Sequence, residues 1–129
     1  MNIEIKKEDW ADFFTKLSKR RSEWMTEVEV LNAEMGDQIL TQGLPLNGIT
    51  AETAGEKTTI DISVGESLNN HQTHNIKDPI RVSLYTDGPN SKEIVAIEEE
   101  NGTKTLIRCT EPMGIIIGFG GYDVMVGTA

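Results

Sequence analysis

The sequence predicts an α+β fold: one N-terminal amphipathic helix packed on a strongly bent antiparallel sheet, or small barrel, of six or seven strands. Three observations carry this. Trp10, Phe13, Phe14 and Leu17 fall at i, i+3, i+4 and i+7, one stripe of a helical period. From Trp24 onward the apolar period changes to two. The alternating segments are short and separated by glycine turns, which is how antiparallel neighbours are joined.

The helix is expected around the aromatic stripe. Glu8, Asp9 and Asp12 lie in its first turns and Lys16, Lys19, Arg20 and Arg21 in its last, the charge order that favours the helix dipole. Burying the four apolar side chains contributes at most about 6 to 12 kcal/mol, because the unfolded chain already hides some of this surface. The stripe therefore predicts an integral lid on the core.

The first strand places Trp24, Thr26, Val28 and Val30 on one face and Met25, Glu27, Glu29 and Leu31 on the other. Gly36 marks a turn, and residues 37–43 read as the returning strand. A bend follows at Leu44-Pro45-Leu46-Asn47-Gly48-Ile49, since proline fixes φ and Asn-Gly admits positive φ. Residues 49–54 then form a short strand. Residues 58–64 alternate Thr59, Asp61 and Ser63 against Ile60, Ile62 and Val64. Residues 81–86 and 93–98 flank the turn signal Asp87-Gly88-Pro89-Asn90, and 93–98 meets 103–109 across Asn101-Gly102.

Residues 113–129 differ in character, with Ile115-Ile116-Ile117 followed by Gly118-Phe119-Gly120-Gly121 and Val124-Met125-Val126. This glycine-rich apolar segment is too short to span a bilayer. It is expected to complete the sheet or to pair with a second chain, and a homodimer through it is the partner expectation.

A chain of 129 residues is the size of a single domain. Its 12 basic and 21 acidic residues give a net charge of −9, which repels phosphate backbones and anionic lipid and predicts neither nucleic-acid nor membrane partners. The charge is uneven: residues 1–25 hold six basic and five acidic side chains, so the β portion carries the negative field. Cys109 is the lone cysteine, which excludes an internal disulfide and points to a reducing, cytoplasmic setting.

The two histidines, His71 and His74, are the candidate binding residues. On a helical turn two imidazoles three apart can face one zinc ion, with Asp61, Glu66, Asp78 or Cys109 as a third ligand. In an extended segment they point to opposite faces and cannot chelate. Their position between Gly65 and Asp78-Pro79 favours a loop, with neither a metal nor another cofactor expected. Cys109 needs a lowered pKa to act as a nucleophile, and no sequence context supplies one. The basic run ending at Arg21 is the only feature suited to RNA, and Glu98-Glu99-Glu100 reads as a solubilising edge.

Several fragments together resemble the uncharacterised bacterial family known as domain of unknown function 5335. They are Trp10 with Phe13-Phe14, Trp24, Val28-Glu29-Val30, Gly36 with Gln38, Leu44-Pro45-Leu46 with Gly48-Ile49, Thr73-His74 with Ile76 and Pro79, and Gly102-Thr103 with Thr105-Leu106-Ile107-Arg108. The resemblance covers about residues 5–109; it implies no activity, cofactor or catalytic residue. It includes Thr73-His74 in the shared pattern, and the tail after Glu111 departs from it. The functional expectation is a non-catalytic binding or assembly module, with a small enzyme around His74 or an RNA-binding barrel as alternatives.

Overall fold

The computed structural model describes residues 2–22, 24–65, 71–86 and 93–112. The expected homodimer segment, residues 113–129, and the Asp87–Asn90 turn lie outside them. Among the described residues, one α-helix, α1 (Trp10–Arg20), follows a short strand and a 3-10 turn, Lys7–Asp9. The strands are β1 (Asn2–Ile5), β2 (Trp24–Asn32), β3 (Gly36–Ala54), β4 (Lys57–Gly65), β5 (His71–Lys77), β6 (Pro79–Thr86), β7 (Glu93–Glu99) and β8 (Lys104–Pro112). All pairings are antiparallel, in the order β1-β6-β7-β8-β2-β3-β4-β5.

Among the described residues, eight strands replace the expected six or seven and the sheet is not a closed barrel: β1 and β5 are its two ends, and no ladder joins them. The sheet nonetheless curls. Strands β5 and β6 stand near opposite ends of the order yet are joined by Asp78 alone, which adopts φ +52°. One residue can link them only if the ends approach in space.

The curl originates in β3. Residues 37–43 and 49–54, expected as two strands around a bend, are parts of one 19-residue strand. Its first half pairs with β2 and its second with β4. Register slips set Leu40, Gly43 and Asn47 out of the ladders, and each such bulge bends the strand and increases its twist. Gly43 has φ +78°, a conformation glycine adopts without strain. Pro45 and Asn-Gly thus bend a continuous strand rather than ending it.

The inner face carries the core: Val28, Leu46, Ile49, Ile60, Ile62, Val64, Ile76, Val82, Val95, Ile97 and Ile107 are buried there. Helix α1 packs chiefly on β3 and buries Trp10, Phe14 and Leu17, with Phe13 half-buried. The Phe13 and Phe14 rings meet edge to face at 5.2 Å. Trp10 Nε1–H donates to the Ile5 carbonyl at 2.9 Å, tying the helix start to β1. Strand β1 itself was not expected: its Ile3 and Ile5 alternate with charges in a segment of four residues, too brief to stand out.

Candidate binding site

The segment expected as a loop, His71–Lys77, is the edge strand β5. Its pairing with β4 is unbroken from Thr59↔Lys77 to Gly65↔His71. The sequence concealed it because of its seven side chains only Ile76 is fully buried, so little apolar alternation survives at an edge. In a strand, His71 and His74 point to opposite sides. His74 lies opposite Ile62 on the inner face and is half-buried. His71 is exposed on the outer face, its Nε2 2.6 Å from Ser63 Oγ.

The remaining candidate ligands are scattered. Asp61 accepts a hydrogen bond from Asn75 Nδ2 on the outer face, Asp78 forms the β5–β6 corner, and Cys109 is buried in β8; Glu66 lies outside the described residues. Among the described residues, no three His, Cys, Asp or Glu side chains are grouped to hold a metal ion.

The inner side of β5 instead borders a cleft of about 290 Å³ in the elbow of the bent sheet, lined by Val28, Leu40, Thr41, Ile62, Val64, Gln72, Thr73 and His74. Its construction follows from register. Val28↔Thr41 pair on the β2–β3 arm, while Val64↔Gln72 and Ile62↔His74 pair on the β4–β5 arm. The bulge at Leu40 turns one arm over the other. Val28, Ile62 and Val64 are at most 2% exposed and form an apolar floor. Thr41 Oγ1–H donates to Gln72 Oε1 at 2.6 Å, bridging the arms.

His74 is the lining residue that titrates near neutrality, and burial pushes its pKa below the ordinary value, so the imidazole is neutral at pH 7. Neither of its ring nitrogens, nor the amide nitrogen of Gln72, has a hydrogen-bond partner among the described residues. Sequence reasoning missed Thr41 and Gln72. Alternation of Gln72, His74 and Ile76 against His71, Thr73 and Asn75 was the available signal for an inward-facing row.

A second polar cluster closes the C-terminal end of α1. Glu93 accepts hydrogen bonds from Arg20 Nη2 at 2.9 Å and from Arg21 Nε, and the Arg21 guanidinium lies 4.0 Å from the Trp24 ring centroid. Burial raises the Glu93 pKa, but hydrogen bonds and charge from Arg20 and Arg21 outweigh it and hold the carboxyl below its usual range. Cys109, the cross-strand neighbour of Glu93, has its thiol pushed up to about 11 by burial and by the Glu93 charge, against weaker opposition from the arginines. It is a protonated core residue at neutral pH.

The described residues thus form one α-helix on a curled, open antiparallel sheet, with a cleft of uncharged lining in its elbow. The chain belongs to the family described as a family of unknown function (DUF5335), whose model matches residues 1–115. The match ends at residue 115, within the glycine-rich segment 113–129. Comparison with curated proteins gave no match, and comparison with solved structures gave none. No helix among the described residues is long and apolar enough to cross a membrane.

Proposed function

We propose that this chain is a non-catalytic binding module whose ligand site is the elbow cleft between the two arms of the sheet. The observation that carries the reading is the pairing of a buried apolar floor, Val28, Ile62 and Val64, with polar groups on His74 and Gln72 that have no hydrogen-bond partner among the described residues. Ligand sites combine these features: apolar walls supply affinity and a few polar groups fix orientation. The cleft volume is at the small end of the ~300–1,000 Å³ typical of such sites, which suits a molecule of one or two rings.

An enzyme around His74 finds less support, since among the described residues no carboxylate or thiol lines the cleft to orient or activate the imidazole. The RNA reading loses Arg20 and Arg21 to Glu93, and Lys16 to Asp12 at 3.0 Å. A bacterial, cytoplasmic setting is part of the proposal, supported by the family resemblance and by the lone, buried Cys109. So is a homodimer through residues 113–129, which rests on their apolar sequence.

Native mass spectrometry of the full chain purified from expressing cells, followed by fragment titration, tests the ligand site and the dimer. A co-purified small molecule, lost in a His74→Trp variant that fills the cleft, supports the reading. A ligand-free protein whose amide spectrum shows no cleft residue responding to any member of a small-fragment library would overturn it. A monomeric mass at micromolar concentration would remove the dimer.

A further inference from the structure

The eight residues lining the elbow cleft include no aspartate, glutamate, lysine or arginine. This is unusual company for an exposed site in a chain with one charged residue in four and a net charge of −9. From every strand that borders His74 the facing groups are uncharged: Val28 from β2, Leu40 and Thr41 from β3, Ile62 and Val64 from β4, Gln72 and Thr73 from β5. Among the described lining residues, a carboxylate entering the cleft would meet no cation, and an ammonium would meet no anion. Burying either without a partner costs far more than burying a neutral polar group that is hydrogen-bonded.

The neutral hydrogen-bonding capacity is, by contrast, specific. The Thr41 hydroxyl occupies the Gln72 amide oxygen, which leaves the amide N–H₂ of Gln72 as a pair of donors. The neutral imidazole of His74 adds one donor and one acceptor. Together they offer donors for a carbonyl or hydroxyl oxygen, above the floor of Val28, Ile62 and Val64.

We infer that the cleft selects an uncharged small molecule with an apolar body and a carbonyl or hydroxyl group at one end, and discriminates against its carboxylate and ammonium counterparts. This rests on the binding reading above and names the ligand class of the same site.

The test uses three compounds sharing one ring: benzamide (neutral), benzoate (anionic) and benzylammonium (cationic), titrated into the ¹⁵N-labelled full chain near neutral pH. Benzamide is expected to shift the amides of Leu40, Thr41, Ile62, Gln72 and His74 saturably. The two ions are expected to bind at least about tenfold more weakly, since a tenfold ratio is only about 1.4 kcal/mol. Gln72→Glu, at an exposed position where the fold tolerates it, should reverse the order in favour of benzylammonium, and His71→Ala on the outer face should change nothing. Equal or tighter binding of benzoate or benzylammonium to the unmodified cleft overturns the inference while leaving the binding reading intact. No response of these amides to any of the three overturns the inference, and the binding reading falls with it only if the wider fragment library is silent as well.

Discussion

The Ser18 hydroxyl serves both backbone groups of Ile49, accepting from its N–H at 2.9 Å and donating to its C=O at 3.2 Å. A helix side chain here stands in for a neighbouring strand. It does so next to the register slip between Leu46 and Gly48, where β3 leaves its regular ladder with β4. A Cβ on Gly48 would lie 3.8 Å from Ser18 Oγ, so the approach is close but unstrained. Ser18→Ala leaves the two backbone groups of buried Ile49 without this partner and should cost about 1 to 3 kcal/mol in denaturant melts. A loss under about 0.5 kcal/mol would mean that water replaces the hydroxyl at no penalty and that the bulge stands without the helix.

Phe14 has no exposed surface and sits where α1 meets β3. Phe14→Ala should destabilise by about 3 to 5 kcal/mol, through lost burial and the cavity left behind. Phe13→Ala, at a half-buried position on the same helix, should cost distinctly less. Equal losses would show that the two rings act as one unit through their edge-to-face contact.

The helix was legible because its apolar side chains are large and its stripe is almost fully buried, so period and burial coincide. Strands β4, β6, β7 and β8 were legible for the same reason: Ile60, Ile62 and Val64, or Val95 and Ile97, alternate visibly. Strand β5 was not, because an edge strand buries one face only in part and Gln72 and His74 occupy inner positions that apolar residues would fill elsewhere. Continuity of β3 was illegible for a different reason. Pro45, Gly43 and Asn47-Gly48 are the residues of a chain break and equally those of a bulged, bent strand, and long-range pairing with β2 and β4 decides between them. The cleft followed from that bend, so of its residues only His74 could be singled out in advance.

Thr105 is fully buried between Ile97 of β7 and Val30 of β2, and its hydroxyl has no hydrogen-bond partner among the described residues. An unsatisfied buried hydroxyl forfeits its hydration without compensation. Thr105→Val keeps the shape and removes the polar atom, so it should stabilise the protein by about 1 kcal/mol. A destabilised Thr105→Val variant would reveal an internal water or an acceptor serving the hydroxyl.

Acidification should weaken the fold in two separate windows. His74 has a folded pKa lowered from 6.5 by burial, so the unfolded chain takes up the proton first. Stability is therefore full above about pH 6.5 and declines as pH falls below it. Glu93 also titrates lower in the folded state: burial opposes its ionisation, but Arg20 and Arg21 more than compensate. Its contribution is present above the unfolded value of 4.5 and is lost as pH falls through the lower folded value. Chemical denaturation at a series of pH values from about 8 to 3 should give two declining steps. His74→Gln should flatten the upper step and leave the lower. Glu93→Gln should remove the lower step and, by taking the carboxylate from the buried Arg21, cost about 3 kcal/mol at neutral pH. A wild-type profile that is level between about pH 7 and 5 would mean that His74 charges freely in place and that the elbow is wetter than its lining implies.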